Sequence, residues 1–234
     1  MVKLPAVNPG QAPAILSDLF PHTDMDGAAT GFALALIARK GLPVLWVQDR
    51  LSRSQAGGPC LAGLEGLSVL RVEANRPTDV LWSMEEGLRT AALGAVLGEI
   101  WGDPAVLNFT ATKRLNMRAQ ESGVPVWMIR RGCGGSLERG TSLERGPSLG
   151  NGSSSSAARN RWRVASLPSA PPLYDTKAPG APAWQVELFR SRELPTGHWV
   201  ARYDRAAHRL HFSAFSSDRT LADHHQADGY RAAG

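Results

Sequence analysis

Apolar residues recur along this chain in two rhythms. Short continuous runs such as "PVLWVQ" and "VPVWMIR" alternate with longer stretches of helical period. "AILSDLF" (14–20) reads as a first strand, ending at Pro21. Residues 28–40 predict a helix that is apolar on nearly every side and therefore packs between layers. "PVLWVQ" is a strand of the kind buried in a parallel sheet, and "GLSVLRVEA" (66–74) is another. "TDVLWSMEEGLRTAAL" predicts a helix with Val80, Met84 and Leu88 on one face and Thr78 or Asp79 as N-cap. "GAVLGEI" (94–100) is a short buried strand, "NFTATKRLNMRAQESG" an amphipathic helix closed by Gly123, and "VPVWMIR" (124–130) a further strand. Strands alternating with helices at these spacings make βαβ units, and so a mainly parallel sheet covered on both faces.

The pattern then changes. "GCGGSLERGTSLERGPSLGNGSSSS" (132–156) is low-complexity, with "SLERG" written twice. So polar a stretch cannot bury enough apolar surface to order itself, and it reads as a mobile insertion. "NRWRVASL" restores a strand, and "PSAPPLYDTKAPGAPA" is a proline-rich connection. "WQVELFR", "GHWVARYD" and "HRLHFSAF" predict an antiparallel meander with turns at 194–197 and 204–207. The expected organisation is a flexible N-terminus (1–13), an α/β core (14–131), a Gly/Ser/Arg insertion (132–158), a remaining core strand with the meander (159–215) and a flexible tail (216–234).

Composition narrows the class. With 234 residues, 43% hydrophobic and 20% charged, the chain is large enough for one well-filled globular domain. The apolar stretch around Phe32–Ala38 is too short to cross a bilayer, and the N-terminus has no signal-peptide core. Two distant cysteines, Cys60 and Cys133, fit free thiols in a cytoplasmic protein.

Charge changes the picture more. Net charge is +5. Residues 130–163 hold Arg130, Arg131, Arg139, Arg145, Arg159, Arg161 and Arg163 against Glu138 and Glu144, so this segment carries the whole excess. It is either a solvated loop or a basic arm for nucleic acid.

The candidate chemistry lies at "HTDMDGAATG", where the first strand meets the buried helix. A phosphate loop would stand there, with backbone N–H groups converging at a helix N-terminus and a lysine reaching the phosphates. No G-x-x-x-x-G-K-[ST] occurs in the chain. Asp24 and Asp26 stand near the helix start instead, where a carboxylate accepts the N–H bonds a phosphate would need. Two unit charges about 4 Å apart cost roughly 4 kcal/mol at an effective dielectric near 20, so the carboxylates also repel a nucleotide. No cation is assigned opposite them. Glu99, ending the strand "GAVLGE", is placed to hold a metal, which leaves a magnesium-bridged nucleotide as the one exception. Asp24, Asp26, Gly27, Thr30 and Glu99 thus make a degenerate nucleotide loop, with no cofactor, no catalytic group and no resident metal expected.

Other candidates are weaker. Asp223, His224 and His225 lack a third or fourth ligand at a usable spacing. His208 and His211 flank a strand and read as surface residues, Cys60 as a spectator thiol, Lys113 and Arg114 as ordinary helix cations. G-x-S-x-G and H-E-x-x-H are absent.

The order of strand, degenerate loop, buried helix, "GLPVLWVQD", "VEANRPTDVLWSMEEGLRTAALGAVLGEI", "ATKRLNMRAQESGVPVWMIRR", "ARNRWRVASLPSAPP" and "WQVELFRSRELPTGHWVARYD" resembles the ImuA family over about residues 14–213. The resemblance is specific in "LWSMEEGLR" and in "RWRVASLPSAPP" before "WQVELFR", and weak in the N-terminal loop. It implies a RecA-like sheet and a role in the bacterial SOS response to DNA damage. It also implies partners: an inactive Y-family polymerase relative (ImuB), a C-family error-prone DNA polymerase, and further RecA and single-stranded DNA, with no membrane. Leu81 falls where the RecA pattern has the glutamate that activates water, so hydrolysis lacks a base as well as a phosphate clamp. The strand 124–130, the insertion and "NRWRV" match the layout of RecA's DNA-binding loop. That makes Arg130, Arg131, Arg159, Arg161 and Arg163 candidate nucleic-acid contacts. Trp162 is either core or a platform for an unpaired base, worth about 1–3 kcal/mol in the second case. The leading expectation is a non-enzymatic accessory protein of error-prone translesion synthesis. The alternative is a SulA-like cell-division inhibitor or another pure protein-binding module.

Overall fold

The structure, a computed structural model, describes residues 12–37, 41–60, 63–64, 66–133, 156–169, 171, 174–175, 177–204 and 207–215. Its elements run β1 (Leu16–Pro21), α1 (Ala28–Leu36), β2 (Val44–Asp49), α2 (Arg50–Ala56), β3 (Val69–Ala74), α3 (Pro77–Gly87) and β4 (Ala95–Trp101). There follow α4 (Phe109–Ser122), β5 (Val126–Arg131), β6 (Asn160–Leu167), β7 (Ala183–Ser191), β8 (Gly197–Asp204) and β9 (Arg209–Ala214). Among the described residues the nine strands form one sheet in the order β3-β2-β4-β5-β1-β6-β7-β8-β9. Neighbours from β3 to β6 are parallel, and those from β6 to β9 antiparallel. The meander therefore extends the same α/β sheet.

Buried strands explain the unbroken apolar runs. β2 and β5 are buried at every position, because helices cover both faces of the parallel part. Val44 and Trp46 join the cluster around α1, while Leu45 and Val47 join the one around α3 and α4. α1 is rich in alanine and packs closely. Its Phe32 ring lies 5.6 Å from Trp162, 6.1 Å from Trp184 and 6.4 Å from Phe212 of β9. α1 thus meets both β6 and β9, three places apart in the sheet, which accounts for its apolar circumference.

Several boundaries differ from expectation. α1 stops at Leu36, because Ile37 takes extended backbone; residues 38–40 lie outside the described part. α3 begins at Pro77 with Arg76 as N-cap, so Thr78 and Asp79 sit in its first turn. Proline loses no hydrogen bond at the first helical position and its φ is already helical, which sets the start earlier than either proposed cap. Asp79 pairs with Arg76 at 3.0 Å instead. The short α2 has no apolar stripe to announce it; it forms because Asp49 accepts the Ser52 N–H at 2.6 Å. α4 follows the reading, with Asn108 accepting from Ala111 N at 3.0 Å and Gly123 closing the helix at φ +73°.

Residues 156–158, assigned to the insertion, are buried, and Ala157 N donates to Thr112 Oγ1 of α4 at 2.9 Å. Their small side chains fit against α4, which the serine run before them obscured. The rest of the insertion (134–155), the lead-in 1–11 and the tail 216–234, with Asp223, His224 and His225, lie outside the described residues. No described helix is long and apolar enough to cross a membrane.

Trp162 is 2% exposed and its ring centroid is 6.4 Å from that of Trp199, in the α1-side core. It offers no face to a base. Trp162→Ala is expected to lower unfolding free energy by about 3–5 kcal/mol, read from urea denaturation.

Candidate functional site

Adjacent residues of a strand face opposite sides of the sheet, so Arg130 and Arg131 at the end of β5 part company. Each anchors a separate buried cluster of charge.

Arg131 turns toward α1. The loop from β1 to α1 wraps around its guanidinium, which donates from Nη1 to the Asp24 carbonyl at 2.8 Å and to the Asp26 carbonyl at 2.9 Å. Nη2 donates to Thr30 Oγ1 at 3.0 Å, and Nε lies 3.6 Å from Glu99 Oε2. Glu99, at the end of β4, is fixed from two further sides. Thr30 Oγ1 donates to its Oε1 at 3.0 Å, and Gln48 Nε2 of β2 donates to its Oε2 at 2.8 Å. Arg131 is 3% exposed and Glu99 1%. Glu99 thus meets a cation and two neutral donors, the arrangement that a buried carboxylate requires.

The loop carboxylates are also occupied. Asp26 Oδ1 accepts from Ala28 N at 2.8 Å and from Ser166 Oγ at 2.7 Å, and Oδ2 accepts from Ser166 N at 3.1 Å. Asp26 therefore covers a first-turn amide of α1 and ties the loop to β6. Asp24 Oδ1 points the other way and accepts from Gly132 N at 2.8 Å. Gly132 has φ +65°, and a Cβ there would stand 2.7 Å from Trp101 Nε1, so only glycine turns the chain at this point. Gly27 is the N-cap of α1 and has no side chain to contribute.

This geometry differs from the expectation that no cation stands opposite the carboxylates. Arg131, proposed from the sequence as a nucleic-acid contact, stands inside the loop, where it pairs with the Glu99 carboxylate and meets Asp24 and Asp26 through their backbone carbonyls. A phosphate at a helix N-terminus needs N–H donors aimed at it. Here two loop carbonyls converge on a guanidinium, and the nearest carboxylates already hold their donors.

Arg130 turns to the other face. Its Nη1 is 3.9 Å from Asp18 Oδ2 of β1, and Arg161 Nε of β6 is 3.3 Å from the same oxygen. Arg130 also pairs with Asp103 after β4, and its guanidinium stands 5.6 Å from the Phe20 ring. Asp18, Arg130 and Arg161 are all buried. Burial pushes the Arg161 pKa below its ordinary value; Asp18 pulls it up, while Arg130 and Arg190 push it further down. Arg163 pairs with Glu187 at 2.8 Å and lies 4.2 Å over the Phe189 ring. Arg159 pairs with Glu193 at 2.8 Å. The proposed contacts Arg130, Arg131, Arg161 and Trp162 are thus buried, and Arg159 and Arg163 carry acidic partners. They form no common exposed face, because a strand divides them between two sides of the sheet.

The remaining candidates are dispersed. Cys60 is exposed, while burial raises the pKa of the Cys133 thiol, whose Sγ lies 3.0 Å from the Gly102 carbonyl oxygen. Leu81 packs in the α3 core, and Arg114 pairs with Glu85 at 2.9 Å. His208 Nδ1 is 3.1 Å from the Tyr203 hydroxyl, and His211 is exposed on β9.

The chain is 32% identical to Protein ImuA of Caulobacter vibrioides, across 86% of this chain and 78% of that protein, with the same figures for the protein in two strains. The chain belongs to the ImuA family. No family model matches it. In this ImuA-family chain, sequence reading passed over Asp18, Gln48 and Ser166. Asp18 had a signal: a charge inside the otherwise apolar strand "AILSDLF" must be paired if the strand is buried. Gln48 and Ser166 had none, since their partners are 51 and 140 residues away.

Removing one partner of the Arg131–Glu99 pair leaves a buried charge uncompensated. Arg131→Met is expected to cost about 3–5 kcal/mol, measured by urea unfolding. The double variant Arg131→Met/Glu99→Met is expected to lose less than the two single losses summed.

Proposed function

We propose that this chain is a non-catalytic accessory protein of damage-inducible mutagenesis. Its RecA-like sheet serves as a scaffold for an ImuB-type Y-family polymerase relative, a C-family error-prone polymerase and nucleic acid or a RecA-type filament. The observation that carries the non-catalytic part is the Arg131 guanidinium seated between the loop carbonyls, Thr30 and Glu99. It occupies the position at the carboxyl ends of β1 and β4 where an α/β sheet ordinarily receives its ligand. Evicting it would leave Glu99 buried without its cation, so a nucleotide would have to displace a compensated ion pair and then face Asp24 and Asp26. A magnesium-bridged nucleotide is disfavoured for the same reason, because Glu99 already holds a cation. Membership of the ImuA family supports the damage-inducible role. A scaffold of this kind acts by holding partners close, which raises their effective concentration without any turnover of its own.

Two measurements test the reading. Titration of the full chain with Mg·ATP is expected to show no saturable binding up to millimolar nucleotide, and no phosphate release with or without single-stranded DNA. Saturable binding with turnover would overturn the non-catalytic assignment. Capture on the tagged full chain from DNA-damaged cells is expected to retain the two polymerase-class partners. Retention of a tubulin-like division protein in their place would replace this reading with the SulA-like one.

A further inference from the structure

Outside the arginine-rich segment, exposed arginines also gather on the antiparallel strands. β7, β8 and β9 bury Trp184, Val186, Trp199 and Leu210 on the α1 side of the sheet. Cross-strand register puts Arg202 opposite His211, and Arg209 opposite Asp204, on the other side. At the far end of that side Arg190 pairs in register with Arg161, across the irregularity between Arg161 and Trp162. Arg190, Arg202, Arg209 and His211 are exposed. Among the described residues the first three have no carboxylate within salt-bridge distance. On β8 the row of His198 and the row of Arg202 are four residues apart, about 13 Å at about 3.3 Å per residue. Arg190 at one end, and Arg202 with Arg209 at the other, thus mark an elongated face. Between them lie Glu187, already paired with Arg163 and His198, and a register row of Gln185, which is buried, Val200 and Ser213.

We propose that this face of β7–β9 binds the phosphodiester backbone of nucleic acid, laid along the strands. The proposal rests on the accessory reading above and gives its nucleic-acid contact a place. Charge complementarity favours a polyanion. The lack of a large exposed apolar side chain among the described residues of β7–β9 favours nucleic acid over an acidic protein segment. Protein interfaces concentrate their energy in buried aromatic and aliphatic side chains. Among the described residues no large exposed apolar side chain lies on β7, β8 or β9; those exposed include Trp82 on α3, Phe109 and Met117 on α4, and Leu70 on β3. Counterion release from phosphates needs no such anchor.

The experiment is fluorescence anisotropy of the full chain with a labelled oligothymidylate, and separately with its duplex, over a range of salt. The variant is Arg190→Ala/Arg202→Ala/Arg209→Ala, its fold checked by thermal melting. Wild type is expected to bind with a steep salt dependence. The variant is expected to lose about tenfold or more in affinity, and its slope of log K against log salt on the single strand to shrink by roughly 2, at about 0.7 per phosphate contact. Whichever of single strand and duplex binds more tightly identifies the form of nucleic acid. Undiminished binding by a folded variant would overturn this surface while leaving nucleic-acid binding elsewhere intact. No binding by wild type to either form, with polymerase capture retained, would overturn the surface and spare the accessory role. Competition by polyglutamate as effective as that by unlabelled DNA would also overturn it, in favour of an acidic protein partner.

Discussion

A single guanidinium organises the carboxyl ends of the central strands. Arg131 joins the β1–α1 loop through two carbonyls, α1 through Thr30 and β4 through Glu99. Each group it touches is a polar atom that burial would otherwise leave costly. Gln48 extends the network to β2, and Asp26 extends it through Ser166 to β6. Loop, helix and four strands are therefore held by one connected set of charge-assisted contacts. Such a set is specific because its members share partners, so that removing one leaves the others buried without theirs.

A second ionic cluster, on the opposite face, does comparable work with inverted logic. There one carboxylate, Asp18, sits between two arginines on the strands to either side, with Asp103 on the outer one. β5 and β6 are the roots from which the residues between 133 and 156 leave and to which they return. Asp18 on β1 lies between those roots and draws both toward one point. The arginines flanking the segment thus serve the inside of the protein. Local charge density in a sequence says nothing about whether the charge is already matched, and here much of it is matched by acids from distant strands. Among the described residues, cations without an ion pair include Arg190, Arg202 and Arg209 of the antiparallel strands, where arginines appear singly and attract no notice in the sequence.

Much of the architecture was legible in the residues. Continuous apolar runs at β2, β4 and β5 announced strands covered on both faces, and Gly123 announced the end of α4. α2 was not legible, because a short helix set by one cap has no periodic stripe. The start of α3 was misplaced because Thr78 and Asp79 have capping side chains, whereas Pro77 before them sets the first helical position. The site was half legible. Asp26 at the mouth of α1 follows from capping chemistry, whereas the Arg131 contact joins residues more than a hundred positions apart.

The sequence alone determined the order of elements, the class of sheet and the absence of a lysine from the first loop, since each depends on nearest neighbours in the chain. Only the tertiary structure decided which cation pairs with Glu99 beneath the loop of Asp24 and Asp26, and that Trp162 is core rather than surface. Those outcomes depend on strand order and on the side of the sheet each residue faces. Strand order is a property of the assembled sheet: β1 pairs with β5 and β6, a hundred or more residues further on. The two faces acquire their difference when α1 closes one of them and α3 and α4 close the other.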